Sequence, residues 1–293
     1  MFERARKPAS ALWSGPYTGN RVPMHRSRCV KVGGISLEVD AVGAGEPVVI
    51  IQTALDADEL RPLAGQVARL GRHRSLHYHR RGYGRSSPVD GEASIARDAA
   101  DCRDLISALG IAPAHVLGAS YSAAVAMTLA SMAPEQTRTV TAIEAPPGRS
   151  PEFRAANARL FDTFRRQGAA VALDEFMTML TGPHWRVELD GAHAGSVSAL
   201  ERDAATFFGH DVPALQSWDF DSAQAVRITC PVLYIGGADT WPIFERMRRE
   251  TLAVLPHAQS ETITGAGHLV ASTHPVETAH RVFEFLERHA DTG

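Results

Sequence analysis

The chain has 293 residues, 44% hydrophobic and 22% charged, an ordinary globular balance with enough apolar material for one large α/β domain or two small ones. Its formal net charge of -3 gives no electrostatic reason to expect nucleic acid or an anionic membrane surface as a partner. A small, near-neutral substrate fits that balance better.

Three cysteines, Cys29, Cys102 and Cys230, have none of the spacings of a zinc site or a disulfide framework, so free thiols and a cytoplasmic location are expected. Residues 1–28 carry Arg4, Arg6, Lys7, Arg21, Arg26 and Arg28 without the continuous apolar stretch of a secretory signal, and they read as an N-terminal extension. From Leu105 to Pro134 there is no Asp, Glu, Lys or Arg, which invites comparison with a membrane span. Gly110, Pro113, His115 and Gly118 interrupt it, so the stretch predicts a strand and a helix buried in protein, and no membrane partner.

In chain order, Val30 to Val32 and Ile35 to Ala41, split by Gly33-Gly34, predict a hairpin. Val48 to Gln52 predicts a buried strand, Ser75 to His79 a weaker one. Ser94 then caps a helix whose apolar positions Ile95, Ala99, Cys102, Leu105, Ile106 and Leu109 keep the 3.6-residue period, with Gly110 just past its end. Ala114 to Gly118 is a strand. Tyr121 to Ala133 is a helix apolar on every side, as an element covered all round must be. Thr137 to Ile143 is a strand. Between Pro146 and about Val226 the strand pattern lapses, and helices are expected over Glu152 to Arg166 and Ala169 to Leu180. Strands resume at Val232 to Ile235 and Glu261 to Ile263, and a helix from Pro275 to about His289 closes the chain. Alternation of this kind predicts an α/β fold around a mostly parallel, doubly wound sheet of about eight strands. The core would span residues 29–146 and 227–293, with a helical cap over residues 147–226 inserted after the sixth strand.

The segment His115-Val-Leu-Gly-Ala-Ser120-Tyr-Ser sets a serine between strand and helix, with Gly118 before it and Ser122 after it. It resembles the Gly-x-Ser-x-Gly nucleophile elbow of the α/β-hydrolase family. Such a turn lifts the hydroxyl above the sheet and aims a helix N-terminus at the position of a developing oxyanion, so the backbone N–H of Tyr121 is one expected donor. A serine needs a base, and the family order is serine, acid, histidine. Asp239, ending Pro231-Val-Leu-Tyr-Ile-Gly-Gly-Ala-Asp, and His268, ending Gly-Ala-Gly-His, are similar to the family's acid and histidine positions. Glu144, after the sixth strand, is the alternative acid.

Tyr78-His-Arg-Arg-Gly-Tyr-Gly-Arg-Ser-Ser87 resembles the family's Asp-x-Arg-Gly-x-Gly-x-Ser loop, with His79 in place of the aspartate. Where the family commonly has His-Gly, this chain has Gln52-Thr53, and the resemblance assigns the second oxyanion donor to the Ala54 N–H. A hydrogen bond between Gln52 and His79 is expected to compensate the two departures. Thr53 raises a second question, because a β-branched residue resists the positive φ that glycine permits.

His73, His77 and His79 alternate along one strand without a carboxylate or cysteine at ligand spacing, so no metal is expected, and no cofactor. Of the aromatic residues of the cap, among them Phe161, Phe164, Phe176, Trp185, Phe207, Phe208 and Trp218, most are expected in the cap's own core and some facing the site, which implies a hydrophobic small-molecule substrate. The resemblance implies a serine hydrolase acting on an ester, thioester, lactone or amide through an acyl-enzyme. The fold also hosts cyclases, lyases, acyltransferases, cofactor-free oxygenases and non-catalytic receptors. Retention of serine, acid and histidine together argues against a receptor, and no feature bears on oligomeric state.

Overall fold

The computed structural model describes residues 27–290 except 149, 193 and 194; all but the last two residues of the expected N-terminal extension lie outside that range. Eight strands form one sheet in the order β1-β2-β4-β3-β5-β6-β7-β8. They are β1 (Arg28–Val32), β2 (Ile35–Gly43), β3 (Glu46–Ile51), β4 (His73–Tyr78), β5 (Ala114–Ala119), β6 (Thr137–Ile143), β7 (Val232–Gly237) and β8 (Gln259–Ile263). β2 is antiparallel to β1 and β4, and all other pairings are parallel. The sheet and its flanking helices form the mostly parallel α/β layers that the strand pattern predicts, in the α/β-hydrolase arrangement that the resemblance implies.

The central strands are continuous apolar runs because both faces of the sheet are covered. Successive side chains point to opposite faces. In β3, Val49 and Ile51 join the cluster beneath α2 (Ile95–Leu109) and α3 (Tyr121–Met132), while Val48 and Ile50 pack towards α1 (Arg61–Arg69). β7 divides likewise, with Val232 and Tyr234 on the first face and Leu233 and Ile235 on the second. Each such fully buried aliphatic side chain contributes about 1.5–3 kcal/mol.

Between β6 and β7 the chain is helical: α4 (Pro151–Gln167), α5 (Ala169–Thr181), α6 (Trp185–Ala192), α7 (Ser196–Thr206), a wide turn at Phe207–Asp211, α8 (Val212–Ser217) and α9 (Ser222–Ala225). This layer has its own apolar cluster around Leu160, Leu173, Trp185, Leu200, Phe207 and Phe208, joined from the sheet side by Leu55. Phe161, Phe164, Phe176, Phe207 and Phe208 pack on one another here. After β7 come α10 (Pro242–Val254), β8, α11 (Val270–Thr273) and α12 (Pro275–Glu287), which packs with α1 against the second face. No helix of the described residues is long and apolar enough to cross a membrane. The uncharged stretch resolves into β5 and α3, whose residues Tyr121 to Ser131 are all buried.

Helix α2 begins and ends where its cap residues predict. The Ser94 hydroxyl accepts the Arg97 N–H at 3.1 Å, and Gly110 takes φ 63° past the last turn. Ser94→Ala should therefore lower unfolding stability by about 0.5–2 kcal/mol in a urea titration, and Ser94→Asp should retain most of the cap.

Candidate active site

Ser120 stands between β5 and α3 with φ 48° and ψ -117°, a strained conformation for a residue with a Cβ. Its N–H donates to Ile143 O at 2.8 Å, which ties the turn to the neighbouring strand. A Cβ on Gly118 would lie 2.1 Å from Ser122 O, so only glycine lets α3 rise so close to the strand it follows. Ser122, where the elbow motif ends in glycine, is fully buried; its hydroxyl accepts the Ala119 N–H at 2.9 Å and donates to Ala119 O at 3.0 Å. The replacement adds a brace rather than a clash.

His268 follows β8, and its Nε2 lies 3.2 Å from Ser120 Oγ. Its Nδ1 lies 3.2 Å from Glu144 Oε2, the carboxylate expected as the alternative to Asp239. The reason is topological. Glu144 stands one residue past β6, directly between the strands that carry Ser120 and Gly237. It turns with φ 48°, as Ser120 does, and its side chain is almost wholly buried. Gly237 N–H donates to Oε1 at 2.8 Å and the Thr240 hydroxyl to Oε2 at 2.6 Å, so the carboxylate is held as an acceptor. A Cβ on Gly236 would press to 3.2 Å from Glu144 Oε1. Gly236 therefore leaves room for Glu144, while a Cβ on Gly237 would meet Ala266 O at 2.4 Å. Asp239 sits in the turn beyond β7, its N–H donating to Ala266 O at 2.8 Å.

The His268 ring is stacked on Phe244, with centroids 3.9 Å apart, and is flanked by Trp241 at 6.0 Å. Phe153 of α4 meets Phe244 edge-on at 6.5 Å. The apolar wall beside the histidine thus comes chiefly from the residues after β7, which the composition of the helical layer does not reveal.

On the other side of the elbow, the Thr53 hydroxyl donates to Ala119 O at 2.8 Å. Arg80, completely enclosed, holds this loop: its Nε donates to Gln52 O at 3.0 Å and an Nη to Thr53 O at 3.2 Å. The same guanidinium meets Asp98 of α2 at 2.7 Å and Asp211 of the helical layer at 2.8 and 2.9 Å. It also lies 4.1 Å from the centre of the Tyr121 ring, while Tyr121 Oη donates to Asp98 at 2.8 Å. Burial raises the Asp211 pKa even against the Arg80 charge, so the carboxylate depends on that cation to remain ionised. Tyr83 Oη donates to Asp211 and accepts the Leu55 N–H at 3.2 Å, completing a link from loop to helices. Ala54, the expected second donor, lies within this braced loop, and Tyr121 opens α3 beside Ser120.

A model of the alpha/beta hydrolase family matches residues 55–281. The chain belongs to that family. It is 29% identical over 273 residues to the polyketide synthase ThaQ of Burkholderia thailandensis; the match takes in 89% of this chain but spans only 13% of ThaQ. Its fold is similar to that of a thermophilic esterase from Thermogutta terrifontis, with TM-score 0.76, 19% identity and coverage of 90% of this chain and all of the esterase. An enol-lactonase from Burkholderia xenovorans LB400 compares at TM-score 0.72 and 20% identity, over 89% of this chain and all of the lactonase. At such identities the two structures speak for the fold alone.

The departures from this alpha/beta hydrolase pattern have a different physical resolution from the expected Gln52–His79 pair. Gln52 Oε1 accepts the Arg80 N–H at 3.1 Å, and its amide nitrogen donates to Thr53 O. His79 instead meets Glu38 at 3.2 Å and Asp58 at 3.0 Å. Those two acidic neighbours are local to His79 and draw its imidazole away from Gln52. Nor does Thr53 take the positive φ; Leu55 does, at 68°.

No local pattern marks Arg80 in the sequence, because its partner Asp211 lies 131 residues away. Arg80→Met should lower stability by about 3–5 kcal/mol, since it leaves Asp98 and Asp211 buried without their cation. Guanidinium unfolding would measure the loss, and Arg80→Lys should restore only part of it, because an ammonium lacks the planar fork.

Proposed function

We propose that this chain is a serine hydrolase that cleaves a hydrophobic small-molecule ester, thioester, lactone or amide through an acyl-enzyme. The observation that carries this reading is the hydrogen-bonded series from Ser120 Oγ to His268 Nε2 and from His268 Nδ1 to Glu144, with 3.2 Å at each step. Similarity to part of a polyketide synthase keeps an acyl thioester among the bonds to be assayed.

In this mechanism Ser120 Oγ attacks the acyl carbon as its proton passes to His268 Nε2. Glu144 accepts the Nδ1–H and stabilises the imidazolium that forms. The N–H groups of Tyr121 and Ala54 receive the oxyanion. Tyr121 is the first residue of α3, so its N–H has no partner in the preceding turn of the helix. Collapse of the tetrahedral species breaks the bond to the leaving group, which departs with the proton from Nε2. Water repeats the sequence: it gives a proton to His268, attacks the acyl carbon and releases the acid as Ser120 regains its hydrogen. The helices over residues 147–226 would act as a cap over the acyl site, with Phe244, Trp241 and Phe153 forming its apolar wall.

A phosphonate probe should label Ser120, and Ser120→Ala should lower kcat on a chromogenic ester by several orders of magnitude. Glu144→Gln should lower kcat by about 10² to 10⁴ by favouring the wrong imidazole tautomer, with Asp239→Asn close to wild type. Full turnover by Ser120→Ala would end the proposal, and loss in Asp239→Asn alone would return the acid to that position.

Acyl-chain length offers an independent measurement. Each methylene buried contributes at most about 0.8 kcal/mol, so kcat/KM should climb roughly tenfold for two added carbons until the wall is covered. A flat series from acetate upward would mean that the acyl group does not reach Phe244 and Trp241.

A further inference from the structure

At the edge of the sheet opposite Ser120, three strands bring together side chains that the proposed chemistry does not use. Glu46 opens β3 and is paired in register with His73, the first residue of β4. His115 stands near the start of β5, at a register shift between Ala114 and His115 on the β6 side. His73 Nε2 lies 3.9 Å and His115 Nε2 3.6 Å from Glu46 Oε2, and the three ligand-capable atoms all fall within 4.8 Å of one another. Both imidazoles are sealed from solvent, with side-chain exposures of 0% and 1%, and among the described residues neither Nε2 has a hydrogen-bond partner. Native interiors seldom leave such groups unsatisfied, and an orphaned buried nitrogen calls for an explanation.

We propose that Glu46, His73 and His115 bind a zinc-class divalent ion, contrary to the expectation from sequence that the chain holds no metal. Zinc takes imidazole nitrogen at about 2.0–2.1 Å and carboxylate oxygen at about 2.0–2.2 Å, so ligand atoms around one tetrahedral ion stand roughly 3.3 Å apart. The 3.6 and 3.9 Å separations from Glu46 need a few tenths of an ångström of closure, and the two imidazole nitrogens, within 4.8 Å of each other, must also draw together. Two imidazoles with one carboxylate favour zinc and its first-row neighbours over magnesium or calcium, which prefer oxygen. His115 Nδ1 is 2.8 Å from Thr139 Oγ1; the tautomer in which Nδ1–H donates to that hydroxyl fixes the ring and leaves Nε2 with its lone pair, the arrangement usual behind a metal-bound histidine. The backbone is organised in advance, because Glu46 N–H donates to Arg72 O at 2.9 Å. A quarter of the Glu46 side chain remains exposed, which gives an ion a way in and leaves water a fourth position. Five residues of strand separate His115 from Ser120, roughly 16 Å, so the ion would clamp three strands rather than take part in acyl chemistry.

The full chain, stripped with chelator, should bind one equivalent of Zn²⁺ in calorimetry and melt at higher temperature as Zn²⁺ is added. Co²⁺ should give the intense visible bands of a low-coordinate site. His73→Asn and His115→Asn should each weaken binding at least tenfold, whereas His268→Ala should keep the equivalent and so exclude ion capture at the other histidine. Should the buried variants fail to fold, Glu46→Gln decides: weakened binding supports the site, and unchanged binding overturns it. Absence of a stoichiometric equivalent below millimolar Zn²⁺, or its retention in folded His73→Asn and His115→Asn, also overturns it.

Discussion

Two adjacent parallel strands, β5 and β6, each end in a residue forced to positive φ, and the site is a consequence of that shared turn. Ser120 and Glu144 both take φ 48°, a conformation that costs a residue with a side chain about 1–3 kcal/mol. It persists because the surroundings allow no other path. Helix α3 leaves β5 so steeply that a methyl on Gly118 would overlap Ser122 O, and Ser120 N–H is already committed to Ile143 O. Glu144 N–H is likewise committed to Ile235 O at 2.9 Å. The two turns lie side by side and deliver a hydroxyl and a carboxylate to one ring, His268, from opposite sides.

Burial gives this geometry its electrostatic weight. Glu144 is enclosed and satisfied by Gly237 N–H, Thr240 Oγ1 and His268, and so its charge is neither shared with water nor free to rotate. Phe244 stacked on the imidazole limits the ring to the plane in which both hydrogen bonds are made. Preorganised acceptors of this kind act without solvent rearrangement when charge develops.

Most of the architecture is legible in the sequence because it depends on short-range rules. Period-two and period-3.6 patterns locate the strands and helices, Ser94 and Gly110 bound α2 to the residue, and small residues around Ser120 mark the elbow. What escapes such rules depends on which strands lie side by side. The contact between Glu144 and His268 depends on the reach of a glutamate across the end of β7, and its sequence signal is Gly236. His73, His77 and His79 seem one set along the chain, yet His79 turns to Glu38 and Asp58 while His73 meets His115 from another strand. Arg80 and Asp211, 131 residues apart, offered no local pattern by which to be paired.

The guanidinium of Arg80 bears on how the helical layer is held to the loop after β3. It grips the carbonyls of Gln52 and Thr53 with one edge and Asp211 of the helical layer with another. Swinging that end of the layer outward would strip a buried carboxylate of its counter-ion and release the loop that follows β3 in the same movement. One buried cation therefore couples the loop after β3 to the helical layer, so that neither can be displaced without the other.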